Sequence, residues 1–92
     1  MKSREYEWDP VKARANLRKH DVSFASAALS LLDERALVRT DPDSNGEARY
    51  VAIGVDPLGH ALVTVFTFRG ERVRIISSRR ATRSERRTYE QG

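Results

Sequence analysis

Two histidines and a scatter of arginines carry most of the chemistry open to this chain. His20 follows Lys19, and His60 follows the run Asp56-Pro57-Leu58-Gly59. An imidazole suits proton transfer because free histidine titrates near neutral pH. Of the two, His20 is the stronger candidate, since His60 sits beside a turn and far in sequence from the arginine-rich segment. A histidine ending a helix is also favoured there by the helix dipole, so position alone leaves His20 with either role. Glu47 and Arg49 lie two apart in a strand-like stretch and project from one sheet face. That carboxylate is a base, an orienting group for the arginine, or half of a surface ion pair. Arg69 ends one strand-like segment, and Arg79-Arg80 follows another.

Such residues suit cleavage of RNA without a metal. The 2′-oxygen attacks the adjacent phosphorus, a base takes its proton, and an acid protonates the departing 5′-oxygen. Cations stabilise the phosphorane between them. With two histidines and abundant arginine, charge stabilisation should dominate. A metal site is not expected. Cysteine is absent, no His-x-x-x-His pair occurs, and no tight acidic cluster lies outside the turns. Asp41, Asp43 and Asn45 alternate faintly like a calcium loop but lack its closing glutamate. Glycine-rich phosphate loops are also missing.

Charge points the same way. Seventeen Lys and Arg against thirteen Asp and Glu give a net charge of +4 and a pI near 10.0. Eight arginines fall between Arg69 and Arg87, opposed only by Glu71 and Glu85. The planar guanidinium matches phosphate oxygens in pairs, which suits a polyanionic partner. For Arg83, Arg86 and Arg87 a solvated helix face is the simpler reading. The 92 residues suit a single domain over 1–92. Its opening MKSREYEWDP lacks the apolar core of a secretory signal. Its apolar runs fall far short of the roughly 20 residues that cross a membrane. A soluble cytoplasmic protein is expected, with disulfides excluded.

Those candidates need a scaffold. Residues 5–8 suit a short strand. Asp9-Pro10 marks a helix start, with Asp as N-cap and Pro in the first turn, and residues 10–20 continue it. Ser23 caps a second helix over 24–32, whose Phe24, Ala27, Ala28, Leu31 and Leu32 share a face. Residues 36–40 are a short strand, and 41–46 a dense turn signal. Strands are predicted over 48–55, 60–68 and 72–78, joined by turns at 56–59 and 70–71. Three strands so joined form an antiparallel meander. In a hairpin about Gly70-Glu71, Arg69 and Arg72 lie near the turn and Arg79 at the far end, so they cannot all reach one phosphate. Residues 81–91 suit a thin C-terminal helix, with Ala81, Glu85 and Tyr89 on one face.

Four strings, in order, then carry a resemblance: EWDPVKARANLRKHDVSF (7–24), EARYVAIG (47–54), VTVFTFRG (63–70) and VRIISSRRATRSERRTYE (73–90). Together they resemble the BrnT family of toxins over roughly residues 7–90. The resemblance implies an α+β, RelE-like fold: two N-terminal helices, an antiparallel meander of three to four strands, and a C-terminal helix. It implies a metal-independent endoribonuclease, without cofactor, that inhibits translation and growth. It further implies a BrnA-like ribbon-helix-helix antitoxin, two toxins flanking one antitoxin dimer, and operator DNA contacted mainly through the antitoxin. The family's Lys-His motif falls on Lys19-His20, its acidic-x-Arg motif on Glu47 and Arg49, and its strand-end arginine on Arg69. Its final Arg-basic pair falls on Arg79-Arg80. The implied roles are phosphate binding and transition-state charge for Arg79 and Arg80, proton transfer for His20 or Glu47, and substrate positioning for Lys19, Arg49 and Arg69. The chain departs from the pattern at Asp21, where glycine is common, at Asp43-Ser44, where His-Ser is frequent, and at Ser78, where alanine is usual. Two alternatives use the same basic surface: a non-catalytic RNA- or ribosome-binding module, and a degenerate toxin serving as part of a repressor complex.

Overall fold

The computed structural model describes residues 5–44 and 46–92; Asn45, which falls in the predicted 41–46 segment, lies outside them. Its elements run β1 (Glu5–Glu7), α1 (Pro10–His20), α2 (Phe24–Ser30), β2 (Leu37–Thr40), β3 (Tyr50–Val55), β4 (Ala61–Arg69), β5 (Arg72–Arg80) and α3 (Arg83–Gln91). The strands form one sheet in the order β1-β5-β4-β3-β2. The α+β class holds, but the sheet has five strands rather than three or four. Strands β2 to β5 make the antiparallel meander, and β1 adds in parallel to β5. That pairing is reinforced by charge: Arg72 Nε lies 3.0 Å from Glu5 and Arg74 Nη1 2.7 Å from Glu7. Contacts between residues 67 apart leave no mark in local alternation.

Helix ends follow local chemistry. Asp9 accepts the Val11 N–H at 2.9 Å, with Pro10 opening α1. Asp21 closes it in the left-handed conformation (φ 58°), donating its N–H to Leu17 O. A side chain there carries a conformational cost that glycine escapes. α2 ends at Ser30, shorter than its apolar face suggests, with Leu31 as its C-cap, still donating to Ala27 O and packed against the core. α3 begins at Arg83, not Ala81, because Thr82 and Glu85 form a capping box and β5 runs on to Arg80. β3 begins at Tyr50, so Glu47 and Arg49 precede it. The ladder nonetheless extends one step further, Asp41 donating its N–H to Arg49 O at 2.9 Å.

Helices α1 and α2 cover one sheet face. Phe24, Ala27 and Ile75 are buried there with Trp8 and Leu31 against them, beside Ala52, Phe66 and Val73. Gly54 lets Ser30 come so close that a Cβ would overlap the Ser30 carbonyl. A β-bulge shapes the other face. Val65 pairs with Ser77 but Phe66 with Ile75, leaving Ile76 as the extra residue. The slip turns Val73 and Ile75 toward the helices, yet Ser77 and Arg79 away from them.

Asn16, the buried residue of α1, holds that strand. Its Nδ2 donates to Val22 O at 3.0 Å and Ser78 O at 2.8 Å, and its Oδ1 accepts the Ser78 N–H at 3.1 Å. Ser78, itself buried, shares a 2.9 Å hydrogen bond with Thr64, so a serine rather than an alanine here completes a buried network. Asn16→Ala strands three backbone groups and should cost about 3 kcal/mol. Denaturant unfolding should show the midpoint falling with the m-value unchanged; an unmoved midpoint would refute this role.

Candidate functional site

The sheet face that α1 and α2 leave uncovered carries a cleft of about 470 Å³. Its floor is Val51, Val63, Val65 and Ser77; its walls bring His20, Arg79 and Glu85 together on one side and Arg39, Asp41 and Asp43 on the other. Three features build it. The bulge turns Ser77 and Arg79 toward it. α1, clamped to β5 by Asn16, ends with His20 at the rim. The 41–44 turn, in which Asp41 accepts the Asp43 N–H at 3.0 Å, closes the far side. α3 lies over the same face, and a narrower channel of about 200 Å³ continues beneath it past Leu37, Ile53 and Thr88.

Arg79 is held from both prongs: Nη1 and Nη2 each donate to Glu85 at 2.8 Å. Glu85 also accepts the Thr82 N–H at 2.8 Å, so one carboxylate caps α3 and aims the arginine. The Arg79 hydrogen bonds, opposed by burial and aided by Thr82, hold the Glu85 carboxyl at about 2. The same contact raises Arg79 further above its ordinary value. Among the described residues, Tyr89 also anchors α3 to the body, donating to Asp33 at 2.5 Å. Burial pushes the Asp33 carboxyl up, but hydrogen bonds from Tyr89 and from the Arg35 and Val55 amides outweigh it and hold it low.

The residues expected from the sequence divide by place. His20 and Arg79 share the cleft. Arg80 follows Arg79 on the strand and pairs opposite Leu62, on the helix-covered face, so the two adjacent arginines point apart. Lys19 is exposed on α1. Glu47 pairs with Arg69 at 3.5 Å beyond the sheet end that carries the Arg69–Arg72 turn, outside the cleft lining. Arg49 stands beside them with its Nε buried and without a hydrogen-bond partner. His60 lies 3.3 Å from Asp56 at the β3–β4 turn, outside the cleft lining. Glu85 and Arg39 were not singled out from the sequence. The Thr82-x-x-Glu85 spacing was the available signal for the first, as a capping box. Arg39 alternates with Leu37 on a short strand, a weak signal.

A family model described as ribonuclease toxin, BrnT, of type II toxin-antitoxin system matches residues 8–85. The chain belongs to the BrnT family. The match spans His20, Glu47, Arg69 and Arg79 and reaches Glu85. The crystal structure of the ribonuclease toxin BrnT from Brucella abortus resembles this one with a TM-score of 0.65. The likeness covers 88% of this chain and 100% of that one at 24% identity, and it bears on the fold. No curated protein matches the sequence. Among the described residues no helix is long and apolar enough to cross a membrane.

The Arg79–Glu85 pair fixes a pH dependence. The folded Glu85 carboxyl titrates at about 2 against an ordinary 4.5, so the unfolded chain binds more protons between those values. The stabilisation is complete above 4.5 and is lost as pH falls through 2. Glu85→Gln keeps the cap but not the charge. Discounted for partial exposure, wild type should lose about 1–2 kcal/mol more than Glu85→Gln on acidification across that window. Parallel stability curves from denaturant titrations of the two proteins would contradict the assignment.

Proposed function

We propose that this BrnT-family chain is an endoribonuclease that cuts RNA without a metal, inhibits translation and growth, and acts in the cytoplasm as one domain over residues 1–92. The observation that supports it most is the meeting of His20 and Arg79 in one cleft, from elements 59 residues apart, inside a ribonuclease-toxin family match. His20 transfers a proton. Arg79, preset by Glu85, faces the charge that develops on the phosphorane and needs little reorganisation as the reaction proceeds. The 2′-oxygen forms its bond to phosphorus as the P–O5′ bond breaks. Its proton passes to a base, the departing 5′-oxygen takes one from an acid, and a 2′,3′-cyclic phosphate remains. Asp41 and Asp43 are the carboxylates across the cleft from His20.

Glu47, Lys19, Arg49, Arg69 and Arg80 belong to substrate binding in this reading, since none lines the cleft; for Glu47 this replaces proton transfer, and for Arg80 it replaces transition-state charge. Metal independence is part of this proposal and is decided by the EDTA experiment below. Family membership implies an antitoxin, for which a BrnA-like ribbon-helix-helix protein is proposed, two toxins to one antitoxin dimer, with operator DNA held mainly by the antitoxin.

Cleavage of a defined RNA by the purified protein in EDTA tests this. His20→Ala should slow single-turnover cutting about 10²–10⁴-fold, and Arg79→Ala about 10²–10³-fold. Both should still bind RNA. Cutting that EDTA abolishes would sink the metal-independent reading, and variants as fast as wild type would sink the site.

A further inference from the structure

The arginines of the cleft face fall into two groups. Arg69, Arg74 and Arg79 are each matched by a carboxylate, from Glu47, Glu7 and Glu85 respectively. Arg39 and Arg49 are not: among the described residues neither side chain has an ion pair or hydrogen bond. The register makes them neighbours. Arg39 pairs opposite Val51, and Arg49 precedes Val51 by two, so both project from the cleft face at adjoining positions on β2 and at the head of β3. The carboxylate across from Arg49, that of Asp41, is turned to the Asp43 amide. Arg39 lines the cleft and the channel alike. Two guanidiniums side by side, neither in an ion pair with a described residue, repel each other, and an anion between them lowers that cost.

Arg39 and Arg79 stand on opposite walls. β2 and β5 stand three strand spacings apart, about 14 Å, with Val51 and Val65 on the strands between. Arg79 and His20 hold one wall, with both Arg79 prongs already occupied by Glu85. The other wall has unoccupied donors.

Resting on the nuclease reading above, we infer that Arg39 is a phosphate-binding residue for RNA, holding with Arg49 a backbone phosphate that flanks the one that is cut. RNA then lies across the strands, from β2 to β5, over the valine floor. Arg39 acts in binding and register, while His20 and Arg79 act on the reacting atoms. The matched arginines provide fixed field; the unmatched ones accept the ligand.

The test uses a short single-stranded RNA, with binding measured by fluorescence anisotropy across a salt series and cleavage by single turnover at saturating protein. Arg39→Ala should weaken binding about tenfold and make the salt dependence shallower by about 0.7 in log–log slope, the value of one single-strand phosphate contact. Its saturated cleavage rate should stay within about twofold of wild type. Arg39→Lys should restore the slope but only part of the affinity, because a lysine cannot grip two oxygens at once. Arg87→Ala, on exposed α3, removes the same charge away from the cleft and should change both far less. Arg39 is exposed and unbonded, so melting temperatures should match and exclude misfolding as a cause. An Arg39→Ala protein with wild-type affinity and slope overturns the inference while a cutting wild type keeps the nuclease reading. A loss confined to the saturated rate also overturns it. A wild type that binds but does not cut fails the nuclease reading alone, and the binding arm still decides Arg39. A wild type that neither binds nor cuts fails both.

Discussion

One extra residue in β5 reconciles two demands that strict alternation sets against each other. In a regular strand Val73, Ile75, Ser77 and Arg79 would all face the same way. The core needs the first two under α1 and α2, and the cleft needs the last two on the opposite face. The bulge at Ile76 grants both. It lies where a strand can be bent at least cost, since β1 pairs only with Arg72–Arg74 and leaves the rest of β5 as an edge. Asn16 then bonds both backbone groups of Ser78, just past the slip, which fixes the new register. The same contact sets the end of α1, and with it the place of His20. The cleft's cation and its imidazole are thus positioned by one feature of the backbone.

The parts of the fold that local chemistry controls were readable in the sequence. Asp9-Pro10 and Ser23 mark real N-caps, and the strands from Leu37 to Arg80 fall close to their alternating segments. The bulge was not readable, because Ile75-Ile76-Ser77-Ser78 contains no glycine or proline to announce it. Parallel addition of β1 was hidden as well, since its register is written in charges at the two ends of the chain. For the site, His20 could be preferred to His60 by its neighbours. Arg79-Arg80 read as a unit only while the strand's end was placed at Ser78; once β5 runs through both, alternation separates them. Asp21, where the family pattern favours glycine, has its backbone at φ 58°, which gives a conformational reason for glycine at that position.

Glu85 joins the electrostatics of the cleft to its shape. α3 has no buried residue, so little apolar contact holds it to the sheet. Its placement depends on polar anchors at its two ends, Glu85 on Arg79 and Tyr89 on Asp33. A charge-assisted, two-pronged contact is directional in a way that apolar packing is not. The pair that aims Arg79 therefore also sets the height of the roof above Val51 and Val63. A phosphate drawing on Arg79 and the carboxylate already there compete for the same prongs. That competition favours a division of labour in which ligand charge is first met elsewhere on the face, at guanidiniums with nothing to give up. Arg39 and Arg49 are so placed, and the floor between the walls keeps Arg39 apart from Arg79.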